Sequence, residues 1–124
     1  MSTRELLALS SVELRRRIGT KEISPVELLE ACLRRIEEIN PAINAVTAMC
    51  VARARKEAKA AEAAVRRGED LPLLHGLPAG IKDLEETKDL LTTYGSPLYR
   101  DYVPNYDNVM VGRVRAAEIG RAHV

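Results

Sequence analysis

Ser24-Pro25-Val26-Glu27 constrains this chain more than any other four residues. The serine hydroxyl can accept from a free backbone N–H. Proline suits the first helical position, and a glutamate three residues after the serine can reach back to it. Val26, Leu29, Cys32, Leu33 and Ile36 then recur at helical spacing. One stripe of this segment must therefore face a core. The pattern predicts a helix over Ser24 to Ile39, ended at Asn40-Pro41 because proline disfavours helical backbone in the residue before it.

Other elements follow from similar signals. Ser10-Ser-Val-Glu13 fits a capping box and predicts a short helix to Ile18, stopped by Gly19. Val51 to Arg67 is rich in Ala, Lys, Arg and Glu, so a helix with a solvated charged face is expected, with Gly68 near its C-cap. Ile43 to Met49 favours a strand through Val46 and Thr47. A second strand is expected near Ala79 to Ile81, with Gly76 to Lys82 entering it and pairing with Asn44 to Thr47 or a neighbour. Glu85 to Thr93 reads as an irregular or strand-containing excursion. Tyr94 to Asn105, with its Gly, Pro and Tyr residues, reads as an ordered loop. Asp107 is expected to cap a last helix that turns Val109, Met110, Val111 and Val114 inward. Helices alternating with short strands predict an α/β fold.

Composition removes several classes of function. The chain has 124 residues, 46% of them hydrophobic and 30% charged, which describes one globular domain with a core. Nineteen basic residues against 18 acidic ones leave a net charge of +1. Such a balance gives no one-sided basic field for nucleic acid or an anionic membrane. Four tyrosines are the only aromatic residues, so no stacking platform for single strands is visible. No apolar run approaches the roughly 20 residues of a membrane span, and no secretory signal is evident. Cys32 and Cys50 lack a metal-binding or redox spacing and read as reduced thiols of a cytoplasmic protein.

The chemistry concentrates in Leu73-Leu-His-Gly-Leu-Pro-Ala-Gly-Ile-Lys-Asp83. A lone lysine, Lys82, ends an apolar run and is followed at once by an acid. Gly76 and Gly80 permit close backbone approach. This stretch resembles the amidase signature family, serine amidohydrolases that cut carboxamides with a Ser–cis-Ser–Lys triad. Thr92-Thr-Tyr-Gly-Ser-Pro97 and the run from Asp107 to Ala117 are similar to the same family. So are the Ser-Pro-Val-Glu-Leu helix, the Ile-Asn-Pro run and the Ile-Asn-Ala segment. Asp89 departs from the family, whose members often carry glycine there; aspartate tolerates the left-handed region better than most residues.

The resemblance implies that Lys82 is the catalytic base, acting on a serine held in a cis peptide that bridges to the nucleophilic serine. A lysine can serve so only when neutral, which requires burial or nearby positive charge. The apolar run before Lys82 makes burial the expectation. Asp83, on a strand, would face the opposite side and take a structural or supporting role. His75 is then not needed as a base and reads as a structural loop histidine. Ser96 lacks the context of a nucleophile. Glu85-Glu86 reads as a solvated pair and not as a glycosidase acid and base. The resemblance implies no metal and no organic cofactor, a small-molecule amide as substrate, and a mixed sheet of which this chain carries the first strands.

The glycine-rich segment with the family's two serines is absent from the sequence. Residues 1–117 read as the N-terminal part of a single amidase domain. Glu118 to Val124 is the peptide that a widespread sequencing-library adapter encodes in one frame, so 118–124 reads as a non-native tail and the chain as a truncated, inactive fragment. Two alternatives remain at this stage. One is the amidotransferase subunit that releases ammonia from glutamine for misacylated transfer RNA. The other is a helical interaction module without catalysis.

Overall fold

A spine of one long helix organises the chain. The structure, a computed structural model, describes residues 1–117, and the expectation for the 118–124 tail lies outside the described residues. Helix α1 spans Thr3–Leu7, α2 Ser11–Gly19, α3 Pro25–Ile43, α4 Val51–Arg66 and α5 Val109–Ala116, with a 3₁₀ turn at Pro97–Tyr99.

The start of α3 is the one expected. The Glu27 N–H donates to Ser24 Oγ at 3.0 Å and the Ser24 N–H donates to Glu27 Oε2 at 2.9 Å. The end is not. The helix passes through Pro41 and stops at Asn44, whose φ of 48° is left-handed and whose N–H donates to the Asn40 carbonyl at 2.6 Å. Asn40 is held in the helix by its side chain. Its amide donates to the Val46 carbonyl at 3.0 Å and accepts from the Val46 N–H at 2.9 Å. Those two bonds offset the bias that proline imposes on its predecessor.

Two faces of α3 are buried, where the helical spacing predicts one stripe. Leu28 and Ala31 join Leu6, Leu14, Ile18, Val65 and Leu77 in the main cluster, with Cys32 packed against it. Leu29 meets Ala54 and Ala58, with Val26 and Leu33 alongside. Helix α4 lies against α3 through Ala54 and Ala58, small residues that allow close helix approach, and through Val65 in the main cluster, while its charged face stays in solvent. It ends in a Schellman turn. The Glu69 N–H bonds the Ala64 carbonyl, the Gly68 N–H bonds the Val65 carbonyl, and Gly68 has a φ of 71°.

Helix α2 differs from expectation in two details. Ser10 accepts from the Glu13 N–H at 3.2 Å, but the Glu13 carboxylate turns to Arg16 and Arg17, each at 2.8 Å, leaving half a capping box. Gly19 stays helical, and the left-handed residue past the end is Lys21.

The expected α/β arrangement is not formed by residues 1–117. No strand occurs among the described residues; Ala79 makes one isolated bridge. Residues 44–50 are neither helix nor strand, and the Asn40 side chain takes up both backbone groups of Val46 that a partner strand would use. Gly76 to Lys82 does not pair with it. A strand exists only where a second one satisfies its N–H and C=O groups. In α5, Asn108 and not Asp107 is the cap, accepting from the Val111 N–H at 2.9 Å. Val111 is buried, Val114 is half-buried, and Val109 and Met110 face solvent. Hydrophobic type alone could not rank these neighbours, because the buried face depends on what α5 packs against.

Gly76 has a φ of +80°, and a Cβ there would lie 2.9 Å from Pro25 Cγ and 3.2 Å from two carbons of Ile18. Gly80 has open space. Gly76→Ala should destabilise the chain by about 1–3 kcal/mol through left-handed strain and the clash. Gly80→Ala should stay within about 0.5 kcal/mol. Urea denaturation of both variants checks the contrast, and equal midpoints would remove the argument. The Glu13 carboxyl is held down from 4.5 to about 2, first by its hydrogen bond to Arg16 and then by that to Arg17. A depressed carboxyl stabilises the fold above its unfolded value, and that contribution is lost as pH falls through the folded one. An NMR titration should place its midpoint near 2, and Arg16→Ala should move it upward.

Candidate active site

The site is built outward from the helices. The Arg15 guanidinium donates to the carbonyls of Pro72 and Leu71, both at 3.1 Å, which pins the loop after α4 onto α2. His75 is buried, with Nε2 2.9 Å from the Ala61 carbonyl of α4. It is the structural histidine the sequence suggests. Gly76 seats against Ile18 and Pro25, and Leu77 enters the main cluster. From this anchor the chain runs through Pro78, Ala79 and Gly80 to Lys82.

Lys82 lines a cavity of about 340 Å³ together with Asp83, Gly80, Ile81, Ala45 to Ala48, Glu85, Thr87 and Leu90 to Thr92. Two expectations are corrected here. Lys82 is exposed, because residues 1–117 do not by themselves enclose it. Lys82 and Asp83 also line the same cavity, because the backbone there is not a strand and does not alternate its side chains between two faces.

Asp83 has a defined task in the structure. Its Oδ1 accepts from the Thr93 N–H at 2.7 Å, and its Oδ2 accepts from the Thr93 hydroxyl. Thr92 is buried. Its N–H donates to the Tyr102 carbonyl at 2.9 Å, and its hydroxyl donates to the Leu90 carbonyl at 3.1 Å. Asp89 adopts a φ of 61°, as its residue type permits, and its N–H donates to the Pro104 carbonyl at 2.9 Å. Residues 86–93 are thus laid against residues 102–108 without forming a sheet.

Glu85-Glu86 is not simply a solvated pair. The Asn108 amide donates to both carboxylates, and the Tyr94 hydroxyl donates to Glu86 Oε1 at 3.0 Å. The Glu86 carboxyl is lowered by its own backbone N–H first and then by the Tyr94 hydroxyl. The Asn108 N–H also donates to the Glu86 carbonyl at 2.9 Å, so these acids hold the start of α5. Nothing in the spacing of these residues announces the bonding. Ser96 caps the 3₁₀ turn, accepting from the Leu98 N–H at 3.3 Å, which is a local structural part. Tyr94, Tyr99 and Tyr102 pack with ring centroids 4.9–6.1 Å apart and give the loop its order. Cys32 and Cys50 are reduced thiols, and burial pushes the Cys32 thiol up. No helix among the described residues is long and apolar enough to cross a membrane.

Residues 27–120 match the Amidase family. The chain is 43% identical over 119 residues to a glutamyl-tRNA(Gln) amidotransferase subunit of Anaeromyxobacter dehalogenans, covering 94% of this chain and 24% of that protein. A solved structure, described as a vestigial protein complex that reveals the evolutionary origins of an s-triazine catabolic enzyme, is similar with a TM-score of 0.84 and 34% identity. The match covers 94% of this chain and 25% of that one. A solved amidase is similar with a TM-score of 0.71 and 32% identity, over 88% of this chain and 25% of its own. The chain therefore spans about a quarter of the length of these relatives. The family match takes in Lys82 and the whole stretch before it, and this chain belongs to the amidase signature family.

Proposed function

We propose that this chain carries the base of an amidohydrolase that breaks carboxamide C–N bonds through a Ser–cis-Ser–Lys relay, with Lys82 as that base. The supporting observation is the position of Lys82 on the cavity wall within the segment from Leu74 to Asp83, inside the family match. The bridging serine passes its proton to Lys82 as it takes one from the nucleophilic serine. The nucleophilic serine attacks the amide carbonyl. The proton then returns through the relay to the departing ammonia or amine, and water attacks the resulting acyl-serine ester to release the carboxylate and restore the serine. A lysine serves in this way only when neutral, through burial or a nearby positive charge, and on this reading that setting and both serines come from chain outside residues 1–117.

A second reading is favoured by the 43% identity to a glutamyl-tRNA(Gln) amidotransferase component. In it the amide is the side chain of glutamine and the ammonia passes to misacylated transfer RNA. Ammonia release from glutamine, compared with release from simple carboxamides, separates the two readings. A non-catalytic interaction module is the outcome if a full-length chain lacks the paired serines.

In a full-length chain containing this segment, Lys82→Ala should lower turnover by about 10²–10⁴-fold or more, the usual worth of a general base, while the fold persists. Lys82→Arg should not restore it, because a guanidinium stays protonated. Near-normal ammonia release by folded Lys82→Ala would remove the assignment. The 124-residue chain alone should release none.

A further inference from the structure

We propose that Asp83 and Thr93 form a clasp that positions Lys82, a proposal that rests on reading Lys82 as the base. The two oxygens of one carboxylate receive separate donors from one residue, the Thr93 N–H at 2.7 Å and the Thr93 hydroxyl. Hydrogen bonds to a carboxylate are roughly twice as strong as neutral ones, and a two-point attachment sets orientation as well as distance. The Thr93 hydroxyl also accepts from the Gly95 N–H at 3.3 Å. One of its lone pairs is thereby engaged, and its single proton is committed to Asp83.

The two sides of the clasp differ in their hydrogen-bonded attachments. Residues around Thr93 are tied to a second segment through the Thr92 N–H on Tyr102 and the Asp89 N–H on Pro104. On the other side Lys82 follows Gly80, which is exposed and has open space where a Cβ would be. The local bond at Lys82 is a turn, its carbonyl accepting from the Glu85 N–H at 3.0 Å. Among the described residues, an attachment of Lys82 to the rest of the cavity wall comes through its neighbour Asp83. Asp83 and Thr93 lie ten positions apart and close the base of the intervening loop. Consecutive Cα atoms are held about 3.8 Å apart, so a shift of Asp83 is passed directly to Lys82. A displacement of about 1 Å at a reacting group can lower turnover about a hundredfold. Asp83 and Thr93 are positioning residues on this account; neither is asked to touch substrate.

Steady-state kinetics on a full-length chain containing this segment tests the clasp. Asp83→Asn keeps the shape and an acceptor for the Thr93 N–H but cannot accept the hydroxyl proton on its amide nitrogen. Thr93→Val removes the hydroxyl, and Thr93→Ser retains it. Asp83→Asn and Thr93→Val should each lower kcat by roughly ten- to a hundredfold with KM little changed. Thr93→Ser should keep kcat within about threefold of the parent. The double variant should be about as impaired as the more impaired single one, as expected of residues acting as a unit. Should Asp83→Asn fail to fold, the Val and Ser variants of Thr93 carry the comparison. Lys82→Ala is run alongside. If it is inactive while Asp83→Asn and Thr93→Val keep kcat within about threefold, the clasp is overturned and the base survives. Losses that multiply in the double variant also overturn the clasp. If Lys82→Ala is active, the base assignment itself fails and the clasp fails with it.

Discussion

Nothing larger than a hydrogen fits at Gly76, and the placement of the site depends on that constraint. The backbone there runs within van der Waals reach of Pro25 at the start of α3 and Ile18 at the end of α2. The same two helices contribute to the main apolar cluster with Leu6 of α1 and Val65 of α4, and Leu77 enters it one residue later. On the other side His75 reaches the Ala61 carbonyl of α4. Three helices thus converge on two consecutive loop residues. The course of the chain to Lys82 is set from there. Substitution at Gly76 would disturb the core and the site together, because one backbone contact belongs to both.

Side-chain oxygens and amides take roles in this chain that backbone ladders take in a sheet. Asn40 pairs with both polar groups of Val46, Asp83 holds Thr93, and the Asn108 amide bonds Glu85 and Glu86. Each joins segments that are distant in sequence or end a helix, and each satisfies backbone or carboxylate groups that would otherwise need a strand or water. Residues 45–48 and the loop ending at Lys82 border one cavity without pairing with each other.

Ser24, Pro25 and Glu27 were enough to locate the start of α3, because capping is local: every group involved lies within four residues. Helix α4 was legible for the same reason, from strong helix formers with Gly68 after them. The lysine motif was legible as a resemblance carried by type and order along eleven residues. The turn at Asp89 was readable from one residue's tolerance of left-handed backbone. By contrast, the second buried face of α3, the passage of that helix through Pro41 and the outward turn of Val109 were not readable. Each depends on a partner far along the chain, and apolar character alone does not say which of two adjacent faces meets it.

The sequence by itself determined where α2, α3 and α4 begin, which residues can turn sharply and which lysine stands in the family's motif, since these follow from short-range sterics and residue order. Tertiary structure decided whether extended segments become strands, whether Lys82 is enclosed and what Asp83 bonds. Strand pairing, enclosure and the Asp83–Thr93 bond each require atoms brought together across the chain. Residues 1–117 supply the last of these but neither the sheet partner nor the cover for Lys82. The physical reason is that a backbone cap is complete within one turn, whereas burial and ladders are properties of two surfaces.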